Sequence, residues 1–284
     1  MIKEGCTYLI TGASGFLGYS LVKRVFSSGG KVRALCRNEG NLIALKQKFP
    51  EVEIFAGDIS DRFEVAQACK GTSGIFHLAA SKHVGLAEKL SRECIKSNLI
   101  GSLNILEQSL EGNFDFVLGI STDKAAQVNG VYGATKMLME RLFLQYQDLN
   151  PHTKYRIVRY GNIIYSTGSV LCKWRDLLKE GKQVIVTDPS ATRFFWTREQ
   201  AVDLITSCLE KATSPEPWIP EMKSMQMGTL LQAMAEKYLP EDKQLDMKYI
   251  GLQRGENLHE KILEEGLTSD EVVKFTVEEI KKLI

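Results

Sequence analysis

Two short segments hold most of the chemistry this chain can do. Ser121-Thr122-Asp123-Lys124 is followed, eight residues on, by Tyr132-Gly133-Ala134-Thr135-Lys136. Tyr132 and Lys136 stand one helical turn apart and so share a face. A free phenol titrates near about 10. A neighbouring ammonium favours the phenolate and lowers that value. Tyr132 can then take the proton of an alcohol as hydride leaves its carbon, with Thr122 hydrogen-bonded to the same hydroxyl. Asp123 and Lys124 supply a second step. An acid and a base beside a new ketone can remove the adjacent proton and expel water. The reading puts Lys124 at the carbon acid and Asp123 at the departing hydroxyl. A lysine base must be neutral, against a free value of about 10.4. Burial and a nearby cation such as Lys136 are expected to push it down.

A hydride step requires a carrier, and the N-terminus offers a place for one. Thr11-Gly12-Ala13-Ser14-Gly15-Phe16-Leu17-Gly18 directly follows an apolar strand pattern and opens a helical one. Glycines at this spacing allow a tight turn, close backbone approach to a pyrophosphate and close helix–strand packing. The helix N-terminus adds free N–H groups and the positive end of the dipole. Thr11, Gly12, Ser14, Gly15, Phe16, Leu17 and Gly18 are therefore the expected dinucleotide contacts. Arg37 and Asn38 stand at the end of the second strand, where an acidic residue would select NAD. Arg37 suits a 2′-phosphate, so NADP is the expected cofactor. Asp58 and Ile59 are placed at the adenine, Ala79 at the ribose, and Lys136 at the ribose beside the nicotinamide.

These residues must be carried by strand ends. The pattern predicts strands at 8–10, 31–36, 52–55, 75–78, 116–120 and 155–158. It predicts helices over 16–26, 42–48, 63–69, 86–110 and 132–149. Strands separated by helices pair in parallel with right-handed crossovers, covered on both faces. The fold class is a doubly wound parallel α/β sheet, with its ligand crevice at the carboxyl ends of the strands. The remaining residues predict helices over 169–179, 198–211, 230–238 and 270–284 and a strand at 184–187, forming a small mixed cap. The expected division is 1–165 plus about 188–213 for the cofactor domain, and 166–187 plus 214–284 for the cap.

At these residues the chain resembles the extended short-chain dehydrogenase/reductases, with their Rossmann domain. Within them it is similar to the inverting UDP-N-acetylglucosamine 4,6-dehydratases, which are also C-5 epimerases. The similarity runs nearly end to end. It is most specific at Ala79 to Val84, Ser121 to Ala125, Val131 to Lys136, Val158 to Asn162, Gly168 to Val170, Thr192 to Phe195 and Gly255 to Glu260. Related dTDP-glucose dehydratases carry Thr-Asp-Glu where this chain has Thr122-Asp123-Lys124. The resemblance implies a tightly bound, internally recycled NADP and a UDP-GlcNAc substrate. The implied product is UDP-2-acetamido-2,6-dideoxy-β-L-arabino-hex-4-ulose, a precursor for surface glycans. It also implies that Lys82 and Asn162 lie beside the sugar, that Gly168, Ser169, Arg193 and Glu256 hold the UDP, and that the enzyme is a cytoplasmic homo-oligomer. Two departures stand out: Gln253-Arg254-Gly255-Glu256-Asn257 replaces Arg-Pro-Gly-Glu-Lys, and Trp196 replaces a methionine.

Composition narrows the rest. A net charge of +1 gives no reason to expect nucleic acid or a membrane surface as partner. The six cysteines have no CxxC or Cys/His ligand spacing, so neither a metal nor a disulfide framework is expected. No apolar run approaches the roughly 20 residues of a membrane span. Rival readings remain: a nucleotide-sugar 4-epimerase or 4-keto reductase needs only Thr122, Tyr132 and Lys136, and a non-inverting dehydratase keeps C-5.

Overall fold

In the computed structural model, which describes residues 2–284, the chain alternates strands and helices through its first 160 residues. Their order is β1 (Thr7–Thr11), α1 (Phe16–Ser27), β2 (Lys31–Cys36), α2 (Glu39–Lys48), β3 (Glu53–Ala56), α3 (Arg62–Cys69) and β4 (Gly74–His77). Then come α4 (Val84–Lys89), α5 (Ser91–Ile95), a π-helical turn at Lys96–Ile100, α6 (Gly101–Glu111), β5 (Phe116–Thr122), α7 (Val131–Leu149) and β6 (Lys154–Tyr160). The remainder comprises β7 (Asn162–Ile163), α8 (Val170–Lys179), β8 (Val184–Val186), β9 (Thr192–Trp196), α9 (Arg198–Lys211), β10 (Pro217–Trp218) and β11 (Ser224–Gln226). It ends with α10 (Met227–Tyr238), β12 (Met247–Tyr249) and α11 (Val277–Leu283).

Seven strands form one parallel sheet in the order β10-β6-β5-β4-β1-β2-β3. Alternation along the strands explains why both faces are covered. Tyr8, Ile10, Phe76, Phe116, Leu118 and Val158 join α1 and α9 in one apolar layer. Leu9, Ile75, Val117, Tyr155 and Ile157 join α3, α6 and α7 in the other. The strand order reverses between β1 and β4, which opens a crevice at their carboxyl ends. A third cluster, with Trp174, Val184, Phe195, Leu230, Met234 and Ile280, forms the core of the cap. There β11-β9-β7 make a small sheet and β12 pairs with β8. β10 lies on the large sheet, although it falls beyond residue 213, where the cap was expected to resume. Among the described residues no helix is long and apolar enough to cross a membrane.

Two predicted helices take another form. The stretch 86–110 is interrupted at Leu90, whose φ of −120° and ψ of 51° are not helical, and again by the π turn. The π turn carries Asn98, whose side chain reaches both Ser81 and Thr135. The helix expected over 270–284 begins only at Val277. Residues before it run beside β11, with Phe275 N–H donating to Ser224 O and Ser224 N–H to Val273 O. Thr276 and Glu279 then start α11 with a reciprocal capping box.

Candidate active site

The glycine loop closes the crevice between β1 and β4. Gly12 has a φ of +70°, and a Cβ there would sit 2.9 Å from Ala79 N. A Cβ on Gly18 would meet Gly12 O at 2.3 Å, so only glycine lets α1 pack this tightly on the loop. No side chain caps the start of α1. Its free N–H groups therefore face the crevice, and the cradle fits a pyrophosphate. Some expected contacts do different work. Thr11 is fully buried, and its hydroxyl accepts from the N–H groups of Leu78 and Ala79, so it ties β1 to β4 from behind the cradle. Asn38 uses its side chain to cap α2 at Asn41 N. Ile59 is buried, packing against Gly101. Ser14, Gly15, Phe16 and Leu17 lie on the loop and at the first turn of α1. Arg37 is 71% exposed, with its guanidinium 3.9 Å from the Asp58 carboxylate, which accepts from Ser60.

The hydride pair sits on α7. That helix is clamped to the sheet by a buried ion pair, Arg159 Nη2 to Glu140 Oε2 at 2.5 Å. Ser121 Oγ also donates to Glu140. Farther up the helix, Asn98 joins the loop after β4 to Thr135, whose hydroxyl donates to Tyr132 O. Asn98, Glu140 and Arg159 were missed by sequence reading. Their signal was a polar residue inside an otherwise apolar helix or strand. Lys136 is 4% exposed and its Nζ meets Met139 Sδ at 3.4 Å. Burial pulls its value down to about 8, only partly opposed by Glu140. The expected lowering of Tyr132 is overturned: burial pushes the phenol up to about 12, although Lys124 and the Thr122 hydroxyl favour its phenolate.

The second pair is more elaborate than its sequence suggests. Thr122 Oγ1 donates to Asp123 Oδ1 at 2.8 Å, and Lys124 Nζ donates to the same oxygen at 3.0 Å. A third charged group completes the cluster: Glu260 Oε1 lies 3.3 Å from Lys124 Nζ and 3.7 Å from Arg193 Nε. Asp123 and Glu260 are fully buried. Asp123 Oδ2 and Glu260 Oε1 have no hydrogen-bond partner among the described residues, an arrangement native interiors rarely keep outside functional sites. The expectation that Lys124 is driven to neutrality is overturned. Burial does disfavour its charge, but Asp123 and Glu260 outweigh it and raise the lysine above its ordinary value. Asp123 is raised by burial, and Glu260 adds to the effect against the pull of Lys124.

The expected substrate residues ring this cluster unevenly. Lys124, Tyr132, Gly133, Gln127 and Asn129 line one cavity with Val84, Gly255 and Asn257, so the C-terminal segment forms part of its wall. Arg193 Nη1 donates to Thr192 O and Leu258 O. The Glu256 carboxylate accepts from Gln253 N–H, so it closes a turn, and Glu260 is the acid that enters the cluster. Arg254 is 90% exposed and reaches Glu88 at 3.4 Å. Gly168, with a φ of +75°, packs on His83, and Ser169 caps the start of α8 by its backbone. Lys82 is lowered by burial, and Asn162 is half-buried on β7.

The family model for polysaccharide biosynthesis proteins matches residues 8–281. An inverting UDP-N-acetylglucosamine 4,6-dehydratase of Campylobacter jejuni is 33% identical over 259 residues, covering 89% of this chain and 75% of that one. A Methanocaldococcus jannaschii protein named as an uncharacterized membrane protein is 34% identical over 269 residues, covering 90% and 80%. A UDP-glucose 4-epimerase of Rickettsia rickettsii is 28% identical, covering 94% and 79%. The crystal structure of Pen from Bacillus thuringiensis superposes with a TM-score of 0.93 at 26% identity, covering 100% and 98%. By these matches the chain belongs to the polysaccharide biosynthesis protein family and, within the extended short-chain dehydrogenase/reductases, sides with the inverting UDP-N-acetylglucosamine 4,6-dehydratases.

Proposed function

We propose that this chain is an NADP-dependent UDP-GlcNAc 4,6-dehydratase that inverts C-5. The observation that carries the reading is the buried Thr122–Asp123–Lys124 cluster one cavity wall from Tyr132, in a chain one-third identical to enzymes of that name. A solved dTDP-glucose 4,6-dehydratase of Streptomyces venezuelae, 18% identical with a TM-score of 0.78, contains NAD, which supports a nicotinamide dinucleotide here. Gly12, Gly15, Gly18 and the start of α1 would hold its pyrophosphate, Lys136 its ribose and Arg37 a 2′-phosphate. When bound, that group accepts a hydride and gives it back, so no net redox change occurs. We place the enzyme in the cytoplasm as a homo-oligomer that takes a UDP-sugar.

The chain's own residues do the proton work. Tyr132 takes the C-4 hydroxyl proton, with Lys124 and Thr122 favouring its phenolate. Lys124 starts as an ammonium, and one proton shift along its 3.0 Å contact to Asp123 makes both reactive groups at once. It leaves a neutral amine to remove the C-5 proton and a carboxylic acid to protonate the C-6 hydroxyl. The C-5 proton goes to Lys124, which passes it to solvent, and the Asp123 proton leaves with the C-6 oxygen as water. A solvent proton is added to C-5 on the face opposite the one that lost it as C-6 regains hydride. The proton count closes between two groups on either side of Thr122, whose hydroxyl donates to Asp123. Tyr132 gains one at C-4 and Asp123 loses one at C-6.

The test is to incubate purified protein with UDP-GlcNAc in deuterated buffer, without added cofactor, and follow it by NMR and mass spectrometry. Loss of water with deuterium at an inverted C-5 is expected. Water loss with retained C-5 moves the enzyme to the non-inverting branch. Conversion without change of mass supports the 4-epimerase reading, which the Rickettsia relative favours.

A further inference from the structure

We propose that Glu260 is a positioning residue for the elimination step: it enters from the C-terminal segment, holds the Lys124 ammonium against Asp123, and fixes the charge state from which elimination starts. This deepens the dehydratase reading and rests on it. Glu260 lies far from the Asp123-Lys124 motif in sequence, yet its Oε1 stands 3.3 Å from Lys124 Nζ. Its side chain is 1% exposed, so water does not screen the contact.

The carboxylate is built into place. Its backbone N–H donates to Ser269 Oγ at 2.9 Å, and Ser269 Oγ donates to Thr192 O at 3.0 Å. Asn257 Nδ2 reaches Glu260 Oε2 at 3.2 Å, while Asn129 Nδ2 donates to Glu256 O at 2.9 Å. The C-terminal segment is thus fastened both to β9 and to the loop before α7, and it delivers one acid into the cluster. Oε1 makes no aligned hydrogen bond, so it acts on Lys124 by charge and proximity. The charged and titratable groups facing Lys124 are Asp123, Glu260, Arg193 and the Tyr132 phenol. Glu260 faces Lys124, Arg193 and Asp123.

Removing the Glu260 charge has one sign at both reactive groups. Lys124 loses one of its two anions and keeps Arg193 nearby, so its neutral form is favoured. Asp123 loses a like charge and ionises more readily. Both changes move the pH–rate profile of dehydration toward acid. A residue with a purely architectural role lowers kcat without moving the profile.

The experiment compares pH profiles of water loss and C-5 deuterium exchange for wild type, Glu260→Gln, Glu260→Asp and Lys124→Ala, with folding checked by thermal unfolding. Glu260→Gln is expected to shift the profile acidward by about one pH unit or more, a roughly tenfold change in rate at the wild-type limb. Glu260→Asp, whose carboxylate is withdrawn by one methylene, shifts it the same way by less. Unmoved profiles in both variants, with Lys124→Ala inactive, overturn the role of Glu260 and leave the dehydratase reading intact. Dehydration that survives in Lys124→Ala overturns the underlying reading instead. If Glu260→Gln fails to fold, Glu260→Asp alone decides by the direction of its shift.

Discussion

Two buried lysines stand at the two ends of one reaction centre, and their surroundings pull them in opposite directions. Lys136, on α7, has a methionine sulfur against its Nζ and is drawn down to about 8 by burial. Lys124, after β5, lies between two carboxylates and is raised although burial disfavours its charge too. Partners, not depth, decide the charge of each amine. The hydride end therefore has a lysine that readily becomes neutral, suited to hydrogen bonding with a ribose. The elimination end has a lysine that stays charged until its proton moves to Asp123.

The sharpest way to break this contrast is kinetic. Tyr132→Phe removes the group that takes the C-4 proton, and turnover is expected to fall by about 10³-fold. Lys124→Met should lose water elimination to a similar extent while still transferring hydride from C-4. The near-ultraviolet absorbance of a reduced nicotinamide, appearing on mixing with UDP-GlcNAc, reads that half-reaction. Wild-type dehydration in Lys124→Met would erase the distinction between the two ends.

Stability offers an independent and smaller measure. Lys124→Met leaves the buried Asp123 carboxylate without its cation, and Glu260 keeps only Arg193 at 3.7 Å. Breaking such a buried pair costs about 3 kcal/mol. Lys136→Met removes an ammonium that sits on a sulfur, because Glu140 is already held by Arg159 and Ser121. That substitution should change stability by less than about 1 kcal/mol. Denaturant unfolding at neutral pH compares the two. Equal losses would show that the carboxylates around Lys124 do not depend on it.

The sequence made one end of this centre more legible than the other. Glycines 12, 15 and 18, β1 and α1 are consecutive, so local pattern alone placed the cradle. Tyr132 and Lys136 are a helical turn apart, and periodicity put them on one face. Helix α9 matched at both ends because apolar spacing and the Thr197 cap agree. Glu260 stands in the sequence only as the last residue of the Gly255 to Glu260 motif, and its importance depends on a chain reversal that brings residue 260 to residue 124. The direction of the Lys124 shift failed for the same reason: burial was foreseeable, but the second carboxylate was not. The short strands β7, β9, β11 and β12 also escaped, since two to five residues hold too little alternation to register.

A third buried base extends the comparison to a group that no carboxylate rescues. His77, at the end of β4, is 2% exposed, and burial together with the charge of Lys136 lowers it to about 3. Its tautomer follows from its neighbours. Thr11 Oγ1 already accepts from two N–H groups, so its hydrogen points to His77 Nδ1 at 2.9 Å. Nε2–H then donates to Ser102 Oγ at 2.9 Å, and Ser102 Oγ donates to Asn98 O at 2.6 Å. The network uses the neutral ring and has no place for a second proton. The unfolded chain binds that proton below about 6.5, whereas the folded chain resists it until about 3. Between those values the unfolded state holds more protons, so stability is present above about 6.5 and declines as pH falls through the window. From pH 7 to pH 5 the loss attributable to His77 is about 2 kcal/mol. His77→Gln, which cannot titrate, should start less stable at pH 7 and lose correspondingly less on acidification, as read from unfolding midpoints at the two pH values. An unchanged acid slope in that variant would mean that the ring takes its proton without disturbing Thr11 and Ser102, and that the cradle tolerates a charge beside Lys136.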